Sequence, residues 1–266
     1  MLPRAQLLQG CQHPDVLSQV LDRAEQALRT WEPVWTDFVA ADGREEVERL
    51  LAALSEITLH SEGGWPQAER RRLLLQRSDQ AGSDQTGSDP ETPAPLMGLV
   101  LHGNFLFDPA DPSDVQRGLI AAGAEANSLG DIWMRGDRGA QLIIRSEDAE
   151  RWQGRSALIR SVEVQAELVA LEQLQLPASR TPKQLSSVEA SLRLDAVGSA
   201  GLGISRNRMA ELIRAGAVRV NWTVITSPSR ELQRGDRIRL EGRGELEIQD
   251  IQPTKRDRWR LVMERR

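Results

Sequence analysis

The sequence predicts an α+β protein built from three small units, and three observations carry that reading. Apolar residues recur at helical spacing in some stretches and alternate in others, so helices and strands are mixed along the chain. A polar run, SDQAGSDQTGSDPETPAP over residues 78–95, interrupts the pattern early. At 266 residues the chain is long enough for two or three small cores. The predicted units are 1–77, 96–180 and 185–266, with 78–95 as a flexible linker or loop. Its acidity and weak hydrophobicity leave little to offset the entropy of ordering it.

In the first unit, an N-terminal α/β domain, Val16, Val20, Leu21, Ala24 and Leu28 recur at three- and four-residue steps, and so do Val47, Leu50, Leu51 and Leu54. Two amphipathic helices are expected. Trp31, Trp35 and Phe38 lie in the connection between them and are assigned to the core. The stretch from Glu56 to Arg77, EITLHSEGGWPQAERRRLLLQR, joins a β-like run, a Gly63-Gly64 turn and a second apolar run. Within it Arg70, Arg71 and Arg72 point in different directions on either a helix or a strand, so a solvated surface is the expectation.

In the second unit LMGLVLHGNFLF reads as strand and DVQRGLIAAGAEA as helix. LGDIWMRGD and AQLIIRS read as paired strands around Gly136 to Gly139, SEDAERWQGRSALI as helix, and VEVQAELVAL as a final strand. The order β-α-β-β-α-β is a ferredoxin-like, RRM-like arrangement. An RNA-recognition role for such a fold needs aromatic residues on its strands, and this stretch has few. Phe105 and Phe107 would share one side of a regular strand; they are assigned to the core, with a stacking platform as the alternative.

The third unit carries the clearest functional signal. Ser205 caps a helix whose apolar face is Met209, Leu212 and Ile213, while Asn207 and Arg214 lie near the opposite face, with Arg206 on its flank and Arg208 nearby. Gly216 stops this helix. AVRVNWTV then alternates as a strand, with Val218 and Val220 inward and Arg219 and Asn221 outward. Gly235 and Asp236 turn the chain into RIRL, where Ile238 and Leu240 are buried and Arg237 and Arg239 face water. Arg243 follows, and Arg256, Arg258 and Arg260 extend the basic surface. Arginine on a helix face, a strand face and a turn of one small unit is the pattern of a phosphate-binding surface.

Charge distribution agrees. The formal net charge is −5, yet residues 180–266 hold 18 Lys+Arg against 11 Asp+Glu, which leaves the rest of the chain strongly acidic. One end is suited to a polyanion and the other to solubility or a protein partner. Lys183 and Lys255 are the only lysines. Guanidinium, forked and planar, holds phosphate through two hydrogen bonds, although a high-GC genome also favours arginine.

Cys11 is the only cysteine, so no intrachain disulfide and no thiolate metal cage is expected. His13, His60 and His102 have no ligand spacing, and no metal or cofactor is expected. The opening MLPRAQLLQGCQHPD interrupts its apolar residues too soon for a signal peptide, and no apolar run approaches the roughly 20 residues of a membrane span. A cytoplasmic location, without membrane insertion, follows as the expectation. No Ser-His-Asp order, P-loop or zinc-protease motif appears.

Residues from about 190 to 250 resemble the S4 domain, an RNA-binding module, through Arg193, Asp195, Ser205, Arg206, Ile213, Gly216, Val218, Val220, Asn221, Gly235 and Asp236. GGWPQAERRR at 63–72, LGDI at 129–132 and VNW at 220–222 extend the likeness over nearly the whole chain to the bacterial YlmH family, whose photosynthetic members are called photosystem II S4 domain proteins. One departure is plain: where the family usually carries a His-Arg-Asp-like stretch, this chain has Asp111, Pro112, Ser113 and Asp114. RLDAVGSAGLG also looks like the catalytic segment of RNA pseudouridine synthases, with Asp195 as nucleophile. Only about 70 residues follow, too few for a catalytic domain, and the aspartate is expected to cap a helix or partner a basic group.

The resemblance implies a noncatalytic, ribosome-associated protein holding structured RNA, ribosomal RNA or ribosome-bound tRNA. The RNA-binding residues expected are Arg193, Ser205, Arg206, Asn207, Arg208, Arg214, Arg219, Asn221, Arg237, Arg239 and Arg243. The alternative is a protein–protein adaptor working through the acidic first two units, in photosystem assembly if the source is photosynthetic.

Overall fold

A short helix α1 (Arg4–Leu8) leads into α2 (Pro14–Thr30), whose inner face buries Leu17, Val20, Leu21, Ala24 and Ala27. This is the computed structural model of the chain, and it describes residues 2–79, 93–177, 182–240 and 243–266. Of the expected linker, residues 80–92 lie outside the described residues. Two structural units result, Met1–Pro177 and Ala178–Arg266.

The first unit continues with β1 (Val34–Trp35), α3 (Ala41–Leu51), β2 (Ile57–Glu62) and β3 (Arg72–Arg77). The strands form an antiparallel sheet in the order β1-β3-β2, and Ile57, Leu73 and Leu75 close a core against α2 and the Val47 and Leu51 side of α3. Of the three aromatics assigned to this core only Phe38 is buried. Trp31 takes the left-handed C-cap position of α2, φ 63°, is 56% exposed, and carries the guanidinium of Arg77 at 3.5 Å from its ring centre.

β4 (Leu96–His102), α4 (Pro112–Ala121), β5 (Leu129–Met134), β6 (Gly139–Arg145), α5 (Ser146–Ala149), β7 (Ser156–Ile159) and β8 (Val162–Val169) follow. Their antiparallel sheet runs β5-β6-β4-β8-β7. Leaving out the added β7, this is the ferredoxin-like order, since the two strands joined by each βαβ crossover have one other strand between them, β6 between β4 and β5 and β4 between β6 and β8. The helix expected over 146–159 is only one turn of α plus a 3₁₀ turn, because residues 156–159 pair with β8 as β7. Asp111 and Asp114 form a reciprocal cap on α4, Asp111 Oδ1 accepting from the Asp114 N–H at 2.8 Å and Asp114 Oδ2 from the Asp111 N–H at 3.0 Å. The aspartates at the family departure thus start a helix.

β4 ends at His102, so Phe105 and Phe107 sit in a loop, not on a strand. Phe105 enters the core while Phe107 is 91% exposed. One face of the sheet packs Leu99, Leu101, Leu142 and Ile144 against Val115, Leu119 and Trp152. On the other face, Val100 and Ile143 are covered by Phe38 and Leu174, with Trp65 and Trp133 at the margin. RNA-recognition folds bind bases on an open sheet face, and here much of that face is packed against other parts of the same unit.

The arginine triplet is another correction, because it is built into this packing. Arg72 is 3% exposed; its guanidinium donates to the carbonyls of Thr36 and Pro95 at 2.6 and 3.0 Å and grips both carboxylate oxygens of Glu147 at 2.9 and 3.0 Å. Arg70 donates to the carbonyls of Leu129 and Ala126, and Arg71 to those of Ala68 and Pro66. Arg145 pairs with Asp37, Asp148 and Glu125. Arg72 is buried, Arg70 and Arg71 are half-buried, and all three are tied to carbonyls or carboxylates of the same unit, so they are not a free solvated surface.

The second unit holds β9 (Lys183–Glu189), α6 (Leu194–Leu202), α7 (Arg206–Arg214), β10 (Val218–Val220), β11 (Thr223–Val224), β12 (Arg237–Leu240), β13 (Gly244–Pro253) and β14 (Trp259–Arg265). Its antiparallel sheet runs β11-β10-β12-β13-β14-β9, so the first strand closes beside the last. Val218, Val220, Ile238, Leu240, Leu246 and Ile248 face Leu194, Val197, Met209 and Ile213 of the helices. A Cβ on Gly201 would lie 2.1 Å from a methyl of Leu246, so α6 can approach β13 this closely only with glycine there.

Candidate nucleic-acid interface

Two groups of basic residues emerge from this unit, divided by the sheet. Helices α6 and α7 cover its inner face. The alternation that buries Val218, Val220, Ile238 and Leu240 points Arg219, Arg237 and Arg239 away from those helices.

The helical group begins with a clamp. Asp195, in the first turn of α6, is buried, and its carboxylate accepts from Arg193 Nε and Nη2 at 3.1 Å each and from Arg206 Nε and Nη2 at 3.2 and 3.3 Å. Burial by itself would raise its pKa, but the two guanidiniums outweigh that effect and hold it below the ordinary carboxylate value. Both oxygens are therefore engaged in a structural role, as expected of a partner of basic groups. The guanidiniums are 40% and 54% exposed, so each keeps an open side. Ser205 caps α7, its Oγ accepting from the Arg208 N–H at 3.3 Å. Asn207, Arg208 and Arg214 are exposed on α7, and Arg208 pairs with Glu211 at 3.0 Å. Gly216, at φ 74°, follows the end of this helix.

The strand group departs from the expectation in its turn. AVRVNWTV is not one strand: β10 and β11 form a hairpin whose two loop residues, Asn221 and Trp222, sit at φ 47° and 70°. Positive φ at both positions is the demand of the hairpin turn that matches strand twist. Asn221 meets it and is then consumed by it, donating through Nδ2 to Asp236 at 2.7 Å and accepting at Oδ1 from the Arg237 N–H at 2.9 Å. Both ends of its exposed amide thus hold the turn. Asp236 also accepts from the Gln233 N–H, fixing the turn at Gly235.

Trp222 was not among the expected binding residues. Its ring has the guanidinium carbons of Arg237 and Arg239 at 5.4 and 5.7 Å from the ring centre. Register sets Arg219 of β10 directly opposite Arg239 of β12, and Glu245 and Glu247 of β13 opposite Arg239 and Arg237. The acidic neighbours confine the cationic surface to the β10–β12 edge. A lone aromatic between arginines on a short hairpin was the available signal, hidden because the stretch read as a continuous strand. Arg243 lies at the β12–β13 turn. Arg256 and Arg258 are exposed in the β13–β14 turn and Arg260 is exposed on β14, beyond the part of β13 that pairs with β12. They stand apart from the hairpin cluster.

Residues 12–80 match the model of the family described as YlmH, N-terminal, and residues 192–238 match that of the S4 domain. The chain pairs a YlmH N-terminal domain with an S4 domain. The S4 match spans α6, α7, β10, β11 and the start of β12, and so contains both the Asp195 clamp and the Asn221-Trp222 turn. A relative in Bacillus subtilis (strain 168), "Ribosome-associated protein quality control protein P2", is 29% identical over 234 residues, 86% of each chain. Among solved structures, "Cell division protein ylmH from Streptococcus pneumoniae" aligns with a TM-score of 0.46 and 15% identity over 62% of this chain and 94% of that one. The YlmH-like stretches 63–72 and 129–132 meet in space. Asp131 accepts from Trp65 Nε1 at 3.0 Å and from the N–H groups of Glu69 and Arg70 at 2.9 and 3.0 Å. Among the described residues no helix is long and apolar enough to cross a membrane, and no His, Cys, Asp and Glu group could hold a metal ion.

Proposed function

We propose that this chain is a noncatalytic RNA-binding protein that works on the ribosome, holding ribosomal RNA or ribosome-bound tRNA through its C-terminal unit. The observation that carries the reading is Arg219 opposite Arg239, with Arg237 on the same outer face. Like charges directly opposite one another destabilise a sheet, and a phosphate backbone is the ligand that turns this cost into binding energy. The S4 match and the ribosome-associated name of the Bacillus subtilis relative support the same target. The noncatalytic part rests on Asp195: with both oxygens held by guanidiniums, it serves the fold and is not poised to attack a nucleotide.

The test is sedimentation of the full-length protein with ribosomes on sucrose gradients. The wild type is expected to travel with ribosomal particles and to leave them on nuclease treatment, and the Arg237→Glu/Arg239→Glu variant to stay at the top. A charge-reversed protein that sediments as before, indifferent to nuclease, would replace this reading with the adaptor one.

A further inference from the structure

The position of Trp222 is costly and its side chain does not serve the core. A φ of 70° suits glycine, asparagine or aspartate in a two-residue hairpin, while a bulky residue there is strained. Burial of the ring does not explain the choice, since Trp222 is half-buried and is not among the hydrophobic side chains packed on the unit's core. What the turn achieves is to lay the indole over the outer sheet face, against Arg237 and Arg239, next to the Arg219–Arg239 pair.

An aromatic face backed by guanidinium groups, with further arginine one strand away, is the equipment for one unpaired nucleotide. The base stacks on the ring and the flanking phosphates meet the cations. Paired RNA offers no free base face, and its phosphates need only the arginines. We infer that Trp222 is a stacking platform for an unpaired RNA base, with Arg219, Arg237 and Arg239 holding the adjoining phosphates. The site thus prefers RNA with a bulged or looped-out nucleotide over a continuous helix. This rests on the RNA-binding reading and adds the substrate class to it.

The experiment compares the full-length protein on two RNAs, a stem with a single bulged 2-aminopurine and the same stem without the bulge. The readouts are fluorescence anisotropy for affinity and 2-aminopurine emission for stacking. Wild type is expected to bind the bulged stem about tenfold more tightly and to quench its probe, as base–aromatic stacking provides. Trp222→Gly, at ease at this φ, is expected to keep its thermal midpoint within a few degrees, lose the preference and the quenching, and retain affinity for the plain stem. Trp222→Phe is expected to keep most of both. A glycine variant that still prefers and quenches the bulge, or that loses affinity for both RNAs equally, overturns the platform and leaves RNA binding intact. Wild type that binds neither RNA overturns the RNA-binding reading and the platform with it.

Discussion

The carboxylate of Asp195, at the start of α6, receives two hydrogen bonds from Arg206, at the start of α7, and two from Arg193 beside it. Eleven positions separate Asp195 from Arg206, and the contact fixes how the two helices of the S4 domain begin relative to each other. A buried aspartate holding two half-exposed guanidiniums both orients those cations and depends on them.

Asp195→Asn is accordingly expected to destabilise the second unit by about 1–2 kcal/mol, the lower range for charge-assisted hydrogen bonds because solvent reaches the guanidiniums. The loss should also depend on pH. The folded pKa of Asp195 lies below its ordinary value, so its stabilisation is fully present above the unfolded pKa of about 3.9 and disappears as pH falls through the folded one. Denaturant unfolding of wild type and variant should give a constant gap from about pH 7 to about pH 5 that narrows below about pH 4. A gap that widens in acid would place the partner elsewhere.

Arg72→Ala is expected to cost about 2–3 kcal/mol, because it removes a buried side chain and leaves the carbonyls of Thr36 and Pro95 without their donor, while the half-exposed Glu147 turns to water. RNA affinity of the folded variant should equal that of wild type. Weakened RNA binding with an unchanged unfolding midpoint would instead make Arg72 part of the RNA-binding surface.

Arg206 and Arg214 should separate in a paired measurement, although both are exposed on α7. Arg206→Ala is expected to lower stability by about 1 kcal/mol through the clamp as well as weaken RNA binding. Arg214→Ala should weaken binding with the unfolding midpoint within about 0.5 kcal/mol of wild type. Equal stability losses would show that Arg206 adds nothing to the clamp beyond Arg193.

Salt titration counts the phosphates engaged. With about four to six contacts, the slope of log affinity against log salt is expected between roughly −3 and −5, from about −0.7 to −0.9 per contact. Arg237→Glu/Arg239→Glu should make that slope shallower by about 2. A flat profile for wild type would remove the electrostatic basis of binding.

By itself the sequence determined what short-range chemistry controls. Apolar spacing placed α2 and the Val218 and Ile238 strands, Ser205 and Gly216 bounded α7, and strand order in the middle unit implied the ferredoxin-like sheet, because periodicity and capping act within a few residues. The tertiary structure decided which charges are engaged and by whom. Arg72 reads as surface until Glu147, 75 positions away, meets it, and Asp195 reads as a possible nucleophile until Arg206 closes on it. Trp222 seemed a strand residue because alternation carries no sign of φ, and only the pairing of Val220 with Thr223 reveals the turn. A side chain's role depends on partners that the fold brings from far along the chain, and in a short window local spacing cannot name them.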